Sequence, residues 1–411
     1  MALILSGTAA AQDALRSALS LDRQIAPKQN ALVDLRPDQP HIGHVQLTLG
    51  AYASTGYDDN VNASENHPAS DIILRTGVNL GFYWPATEQS ELRFGSGIGY
   101  SYYFNNTRNG GVEVTPDSAL TYSVALQDAI ITVFDQLSYS RQVITEGALA
   151  NLATLPRLDN NVGVRGVWNP KQWSFQAGYS HDDFSSDMKA ANYLNRSSEY
   201  LFARGGWRFA QATQVGIEAS GSFTKYESSS QSDNRSVSVG PFAEWQVRPA
   251  LQLALRGGPT VYFFDSQHSR SPAATLSSYY LGLEGDYQMT DYFSHHLSIQ
   301  RSVQPGLNQG SDYIEQITAS YVLSWSFTQS MTLRAELTYE NGNQPLPVAI
   351  GGRILNEIES FERYGGGPSL SWRLTDHLTT TVNYSHWLRQ SNLAARGYTE
   401  NSVSLGLRYS F

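Results

Sequence analysis

Apolar and polar residues alternate without a slip over the last eleven residues, Asn401 to Phe411. Val403, Leu405, Leu407, Tyr409 and Phe411 are apolar or aromatic. Ser402, Ser404, Gly406, Arg408 and Ser410 are small or polar. Successive side chains of a strand point to opposite faces, so this segment predicts a strand with one greasy and one wet face. The pattern recurs upstream. Leu92, Phe94, Ile98, Tyr100, Tyr102 and Phe104 oppose Glu91, Arg93, Gly95, Gly97, Gly99 and Ser101. Leu251, Leu253, Leu255, Val261 and Phe263 alternate with Gln252, Arg256, Thr260 and Tyr262. Ile317, Tyr321, Leu323, Trp325 and Phe327 alternate with Gln316, Thr318, Ser320, Ser324 and Ser326. Trp84, Trp168, Trp173, Trp245, Trp325 and Trp372 fall on the apolar face near short turns, and Trp387 falls on the polar one.

The connections sort into two kinds. Short ones carry Pro, Asn, Asp or small polar residues suited to tight hairpins: 84–87, 127–128, 169–172, 210–213, 248–250, 290–291, 328–330 and 375–377. The others are long and rich in Ser, Asn, Asp and Gly: 54–71, 105–117, 141–158, 183–196, 227–234, 265–276, 303–314, 341–360 and 390–399. This rhythm predicts an all-β, closed, antiparallel up-and-down transmembrane barrel of roughly 18 strands, with short periplasmic turns and long extracellular loops. The first strand is expected at 44–53. Segments of about 9–13 residues suffice for a tilted strand to cross the hydrocarbon.

Two places read badly. Alternation slips near Asp135 and Gln136, and a bulge is the preferred correction, because a lipid-facing charge at depth is costly. Pro241, Pro259 and Pro368 each follow Gly inside a strand and predict bulges or bends, since Pro cannot donate to the ladder.

Composition sharpens this picture. Only 16% of the 411 residues are charged, against about 25% for an ordinary globular chain. No run of 18 apolar residues exists, so no transmembrane helix is expected; a barrel escapes that measure because half of each strand faces water. The absence of Cys excludes disulfides, thiolate metal sites and a lipidated N-terminal Cys. The net charge of −9 gives no reason to expect nucleic acid. Residues 1–11 read as a residual signal peptide with an A-x-A site, 12–43 as a periplasmic segment or plug, and 44–411 as the barrel.

Candidate chemistry lies on the polar face. The register places Arg75, Arg93, Arg165, Arg204, Arg208, Glu218, Glu244, Arg256, Glu284, Asp286, Arg334, Glu336, Arg373 and Arg408 in the lumen, with Glu91. Arg208 is expected diagonal to Glu218, and Arg256 diagonal to Glu244. Such a wall either orients a hydrated solute or simply staples the strands together. Aromatic runs (Tyr102 to Phe104, Tyr262 to Phe264, Tyr279–Tyr280, Tyr200 and Phe202) suit a glycan path or an outer girdle. Two acidic loops (Asp58, Asp59, Glu65 and Asp71; Asp182, Asp183 and Asp187) lack EF-hand spacing. No G-x-S-x-G, H-E-x-x-H, Walker or dinucleotide motif occurs, and His295, His296 and Ser298, or His386 and Ser385, are poor catalytic candidates. No enzyme, cofactor or metal is expected.

The terminal strand resembles the closing strand of bacterial outer-membrane barrels, whose final aromatic is an insertion signal; Tyr409 and Phe411 are the matching residues. The segment Gly50 to Val61, GAYASTGYDDNV, resembles the first strand and Y-D-D-N loop of the β-barrel porin 2-type family, many of whose members are associated with exopolysaccharide secretion. The likeness spans roughly 45–411. It implies an outer-membrane export channel for a polysaccharide, with a polar, Arg/Glu-lined lumen, gated by loops or the N-terminal segment. The alternatives are a general or substrate-selective diffusion porin, and a structural or partner-docking barrel. The implied partners are outer-membrane lipid and lipopolysaccharide, the barrel assembly machinery and periplasmic polysaccharide-export components, with both termini periplasmic. The apolar stretches 148–155 and 346–350 are expected to fold inward.

Overall fold

The computed structural model describes residues 40–141, 147–151, 155–210, 213–265, 275–350 and 353–411. The expected N-terminal signal and plug fall almost wholly outside them. The strands are β1 (His41–Ile42), β2 (Val45–Asp58), β3 (Asp71–Thr87), β4 (Ser90–Tyr103), β5 (Gly111–Val114), β6 (Ala119–Ala125), β7 (Ala129–Ser140), β8 (Arg157–Trp168), β9 (Trp173–Ser185) and β10 (Arg196–Ala210). The chain continues as β11 (Thr213–Tyr226), β12 (Asn234–Arg248), β13 (Leu251–Phe264), β14 (Thr275–Thr290), β15 (Phe293–Pro305), β16 (Tyr313–Trp325), β17 (Met331–Ile350), β18 (Arg353–Arg373), β19 (Leu378–Ser391) and β20 (Tyr398–Ser410). Every pairing is antiparallel, and β20 returns to β2 from Ser410↔Gly50 to Ser402↔Asp58, which closes the sheet. β5 and β6 both lie between β4 and β7 and are two pieces of one wall strand, bulged at 115–118. β1 is a short flap on β2, turned by Gly43 at φ +61°. The wall is therefore a closed eighteen-stranded antiparallel barrel.

Its faces follow the alternation. Leu80, Ile98, Leu255, Leu337, Val382 and Leu405 stand exposed on the outside, as they must where lipid replaces water. All six tryptophans expected near short turns point outward, and Trp207 joins them. Trp387 faces in and is buried. Buried apolar clusters gather at the long-loop end. The largest joins Ala148, Leu149, Leu155, Phe184, Leu194, Leu307, Ile314 and Phe361.

Two expectations need correction. The first concerns 341–360, which is not an irregular loop: the β17–β18 ladder runs unbroken to Ile350↔Arg353, so the hairpin stands beyond its neighbours. Likewise 105–117 contains β5. The second concerns β7, which has no bulge; its register against β8 is continuous from Ala129↔Trp168 to Ser140↔Arg157. Asp135 therefore does face outward, where it accepts from Asn160 Nδ2 at 2.7 Å, while Phe134 is buried inside. The bulge sits one strand earlier, between β5 and β6. The prolines take one of the two forms expected. Pro241, Pro259 and Pro368 interrupt rungs without shifting register, so they are bends. Gly366, at φ +132°, lets β18 press against β17 just before Pro368.

Candidate functional site: a docked strap across the loop end of the lumen

Residues Gly147–Asn151 leave the β7–β8 connection and reach the far wall. Arg389 Nε donates to the Gly147 carbonyl at 2.7 Å. Asn308 Nδ2, Gln344 Nε2 and Arg396 Nη2 converge on the Ala148 carbonyl at 2.8, 2.9 and 3.2 Å. Asn151, at φ +60°, donates its N–H to Ala63 O at 3.0 Å and its Nδ2 to Ala395 O at 2.7 Å. The composition suits a strap. Gly147 lies against the Glu340 carboxylate and the Phe361 ring, leaving no space for a Cβ. Ala148 and Leu149 fill the apolar cluster below. Tyr193, in the short 3-10 turn Asn192–Leu194, donates to Leu307 O at 2.9 Å and seals the side of this cluster. Burial pushes the Tyr193 phenol above its usual value, against an opposing pull from Arg396.

The docking surface is charged and dry. Arg363 grips Glu340 with two bonds, Nε at 2.9 Å and Nη2 at 3.0 Å, and both side chains have no solvent exposure. Arg389 and Glu359, equally shielded, meet at 2.7 Å. Glu359 Oε1 also accepts from Arg396 at 2.8 Å and Ser391 at 2.7 Å, and Oε2 accepts from Gln344 at 2.7 Å. Arg363 lies 4.1 Å over Trp387, and Arg389 lies 5.0 Å from the Phe361 ring. Removing two charges from water costs several kcal/mol per ion unless the remaining lone pairs and protons are satisfied. Here both oxygens of Glu359 are satisfied, the Gly147 and Ala148 carbonyls take Arg389 Nε and Arg396 Nη2, and Arg389 Nη1 donates to the Arg396 carbonyl. The charges and the strap therefore stabilise one another.

Below the strap the inward wall is polar and wetter. By strand parity the fourteen expected residues share the face opposite the exposed apolar ones. Their partners differ in part from those expected. Glu244 pairs with Arg204 and also accepts from Gln214 at 2.5 Å, and Arg256, opposite Phe242 in the ladder, stands diagonal to Glu244 as expected. Arg204 stacks 3.4 Å over Phe242. Arg208 donates to Asn169 Oδ1 at 2.9 Å, and Glu218 stands opposite Arg204 in the ladder. The ladder sets Arg208 opposite Gln214, too far along β11 to be diagonal to Glu218, and Arg204 reaches past β11 to Glu244 on β12. Arg93 pairs with Glu91 at 3.0 Å and Arg334 with Glu336 at 3.3 Å. Arg165 donates to Gln176 at 3.0 Å, and Arg373 to Gln329 O at 2.7 Å.

The aromatic runs divide by parity. Tyr102, Phe104, Phe263 and Tyr279 face out. Tyr103, Tyr262 and Phe264 are buried in packing clusters, which leaves no open aromatic track at those positions. The first acidic loop is spoken for by protein donors, whereas in the second both oxygens of Asp182 are buried without a hydrogen bond among the described residues. Asp71 accepts the backbone N–H groups of Asn105 and Asn106 at 2.9 and 2.7 Å, Asp59 accepts from Asn401, and Glu65 accepts from Gly397 N. Among the described residues no group of three or more His, Asp or Glu is placed to hold a metal ion. His296 hydrogen-bonds Asp286 at 2.8 Å, His295 faces outward against Tyr321, and Ser385 pairs with Ser402. None of these assembles a nucleophile with its base.

Sequence reading flagged 148–155 but missed the surface that holds it. Glu340, Glu359, Arg363 and Arg389 obey the inward parity of β17, β18 and β19. Glu359 falls within 341–360, which reads as a loop, and Glu340, Arg363 and Arg389 stand at or near the ends of the expected strands beside the two last long connections.

No protein-family model and no curated protein matches the chain. Among solved structures it is similar to the outer membrane protein OpdK of Pseudomonas aeruginosa, at 12% identity over 89% of this chain and 99% of that one, TM-score 0.47. It is also similar to OccK5 (OpdH) of the same organism, at 11% over 89% and 98%, TM-score 0.48. OccAB3 of Acinetobacter baumannii gives 8% over 90% and 100%, TM-score 0.48. Likeness of this size carries no substrate and no residue role across.

Proposed function

We propose that this chain is a channel in the outer membrane of a Gram-negative bacterium, passing small hydrated solutes and held nearly shut at rest by its own strap. The observation that carries the reading is the Gly147–Asn151 strap docked on fully shielded Arg–Glu pairs above a polar lumen. An eighteen-stranded barrel is wide enough for an aqueous path, so the strap, not the wall, sets the resting aperture. The inward Arg204–Glu244 wall and its neighbours give that path a transverse field that orients a polar solute. Short turns and the Phe411 end lie on the periplasmic side in this reading, and the exposed apolar band contacts lipid and lipopolysaccharide.

The reading favours a diffusion channel over the polysaccharide exporter that the sequence resemblance suggested. A polymer would have to displace the cluster of Ala148, Leu149, Leu155, Leu307 and Phe361 along its whole passage. Swelling of proteoliposomes in a graded series of amino acids and sugars tests this. Slow entry of monomers and exclusion of oligosaccharides are expected. Ready passage of a glycan polymer through the intact chain would restore the export reading.

A further inference from the structure

Among the described residues, neighbouring wall strands stay hydrogen-bonded nearly to their loop ends, with one exception. The β14–β15 ladder stops at Leu281↔Arg301. β14 continues from Tyr280 to Thr275 on its β13 ladder, and β15 from Ser302 to Pro305 on its β16 ladder, with no rungs between them. The end of β15 stays on β16 but packs toward the lumen. Tyr262 on β13 donates its hydroxyl to Val303 O at 2.8 Å, and Val303 is buried with Tyr262 and Phe264. A split therefore opens in the side of the barrel, with a cavity behind it lined by Tyr262, Tyr280, Leu281, Gln300, Val303 and Arg256.

Among the described residues, side-chain bonds span the split. Arg301 Nη1 donates to Ser278 Oγ at 3.0 Å and to the Tyr279 carbonyl, and Nη2 meets Glu315 at 3.0 Å. Ser278 Oγ donates to Glu315 Oε1 at 2.7 Å. The guanidinium lies 3.8 Å over Tyr279, an outward tyrosine. Such tyrosines mark the headgroup boundary, and Leu281 and Leu297 below are apolar and exposed. An unpaired strand edge is costly in hydrocarbon, and Arg301 supplies the Tyr279 carbonyl with the donor a missing rung would have given. A ladder opens only by losing many bonds together. This clamp opens when one guanidinium changes partner.

We infer that the split is a side portal joining the lumen to the headgroup level of the outer leaflet, for an amphiphile with an anionic head and an apolar tail. The head competes with Glu315 for Arg301. The tail runs along Leu281, Val303 and Tyr262. This inference rests on the channel reading and adds a second exit to it.

The chain has no Cys, so a single thiol reports one place. The test uses the full-length chain in lipid vesicles, with Ser302→Cys carrying a fluorophore and lipid-borne nitroxide as quencher. Thr381→Cys, inward on β19, is the control. Arg301→Ala and, more gently, Glu315→Gln should raise quenching at 302 severalfold and leave 381 dark to lipid nitroxide. Decanoate should do the same to the unmutated clamp, and decanol should not. If lipid nitroxide never reaches 302 in either variant, the split lies outside the bilayer and the portal is overturned. If decanol acts like decanoate, the anionic head is overturned. Axial conductance, recorded on the same vesicles, should persist throughout; its absence would strike the channel reading and not the portal.

Discussion

Arg389 and Glu359 meet at 2.7 Å with neither side chain exposed to solvent, and the same arginine holds the Gly147 carbonyl at 2.7 Å. One guanidinium thus joins the barrel wall to the strap that crosses its mouth. Arg389→Met should remove the strap's anchor and leave Glu359 with Arg396 alone as cation. Breaking one side of a buried pair costs about 3–5 kcal/mol where the other charge is left uncompensated. Arg396 reduces that here, so the barrel should fold while the strap lifts. Single-channel conductance in planar bilayers should rise severalfold with more frequent full openings. An unchanged, small conductance would show that the strap does not set the aperture.

Gly147 offers an independent route to the same end. A side chain there would collide with the Glu340 carboxylate and the Phe361 ring. Gly147→Leu should push the strap off its seat without touching a charge, and should raise conductance as Arg389→Met does. If Gly147→Leu narrows the channel while Arg389→Met widens it, the strap is repacking in place and not lifting.

The outward Asp135 sits among exposed Leu120, Val133, Leu137 and Val162, with Asn160 as its bonded partner. A charge on the lipid face near the midplane costs about 2–4 kcal/mol for Arg or Lys and less for Asp. Asp135→Leu should therefore stabilise the barrel in bilayers by about 1–2 kcal/mol in denaturant unfolding, on the low side of that range. Val133→Asp, two residues away on the same face, should destabilise it. Loss of stability in Asp135→Leu would mean that the carboxylate is covered by something other than lipid.

The fold was legible because lipid enforces strict alternation: Leu253 and Leu323 point out and Gln252 and Ser324 point in from parity alone. The strand count followed from the turn rhythm, since each short turn must join two wall strands. Long-range events were harder to read. Nothing local to Gly147 says that Arg389 will reach it from the far wall. Asp135 misled because a rule about average cost was allowed to override an unbroken register. The Arg204–Glu244 pair was missed because its partners stand on β10 and β12 with β11 between them, and the β14–β15 split because each strand looks regular on its own. Thiol reactivity of single cysteines tests the register directly. Positions 252 and 324 should react with a membrane-impermeant maleimide through the lumen, and 253 and 323 should not. The reverse pattern would invert every face assigned above.

An assembly role for Phe411, as the resemblance of its strand implies, is separable by experiment from its folded contacts. Its N–H donates to Leu49 O at 2.9 Å beside the β2–β20 seam, and its ring meets Tyr409 edge-on at 4.7 Å. The ring is 54% exposed on the outer face, and an aromatic pair of this kind contributes only about 0.5–1.5 kcal/mol. Phe411→Asp should therefore leave a barrel that, once refolded in vitro, melts only slightly below the native one. In cells the same variant should accumulate far less heat-modifiable barrel in the outer membrane, because the closing strand has lost its terminal aromatic while the seam register from Gly50↔Ser410 onward is intact. Phe411→Tyr separates aromaticity from exact identity and should restore insertion. If Phe411→Asp inserts at native levels, or if its stability in vitro falls as steeply as its yield in cells, the terminal aromatic is a structural contact and not a signal.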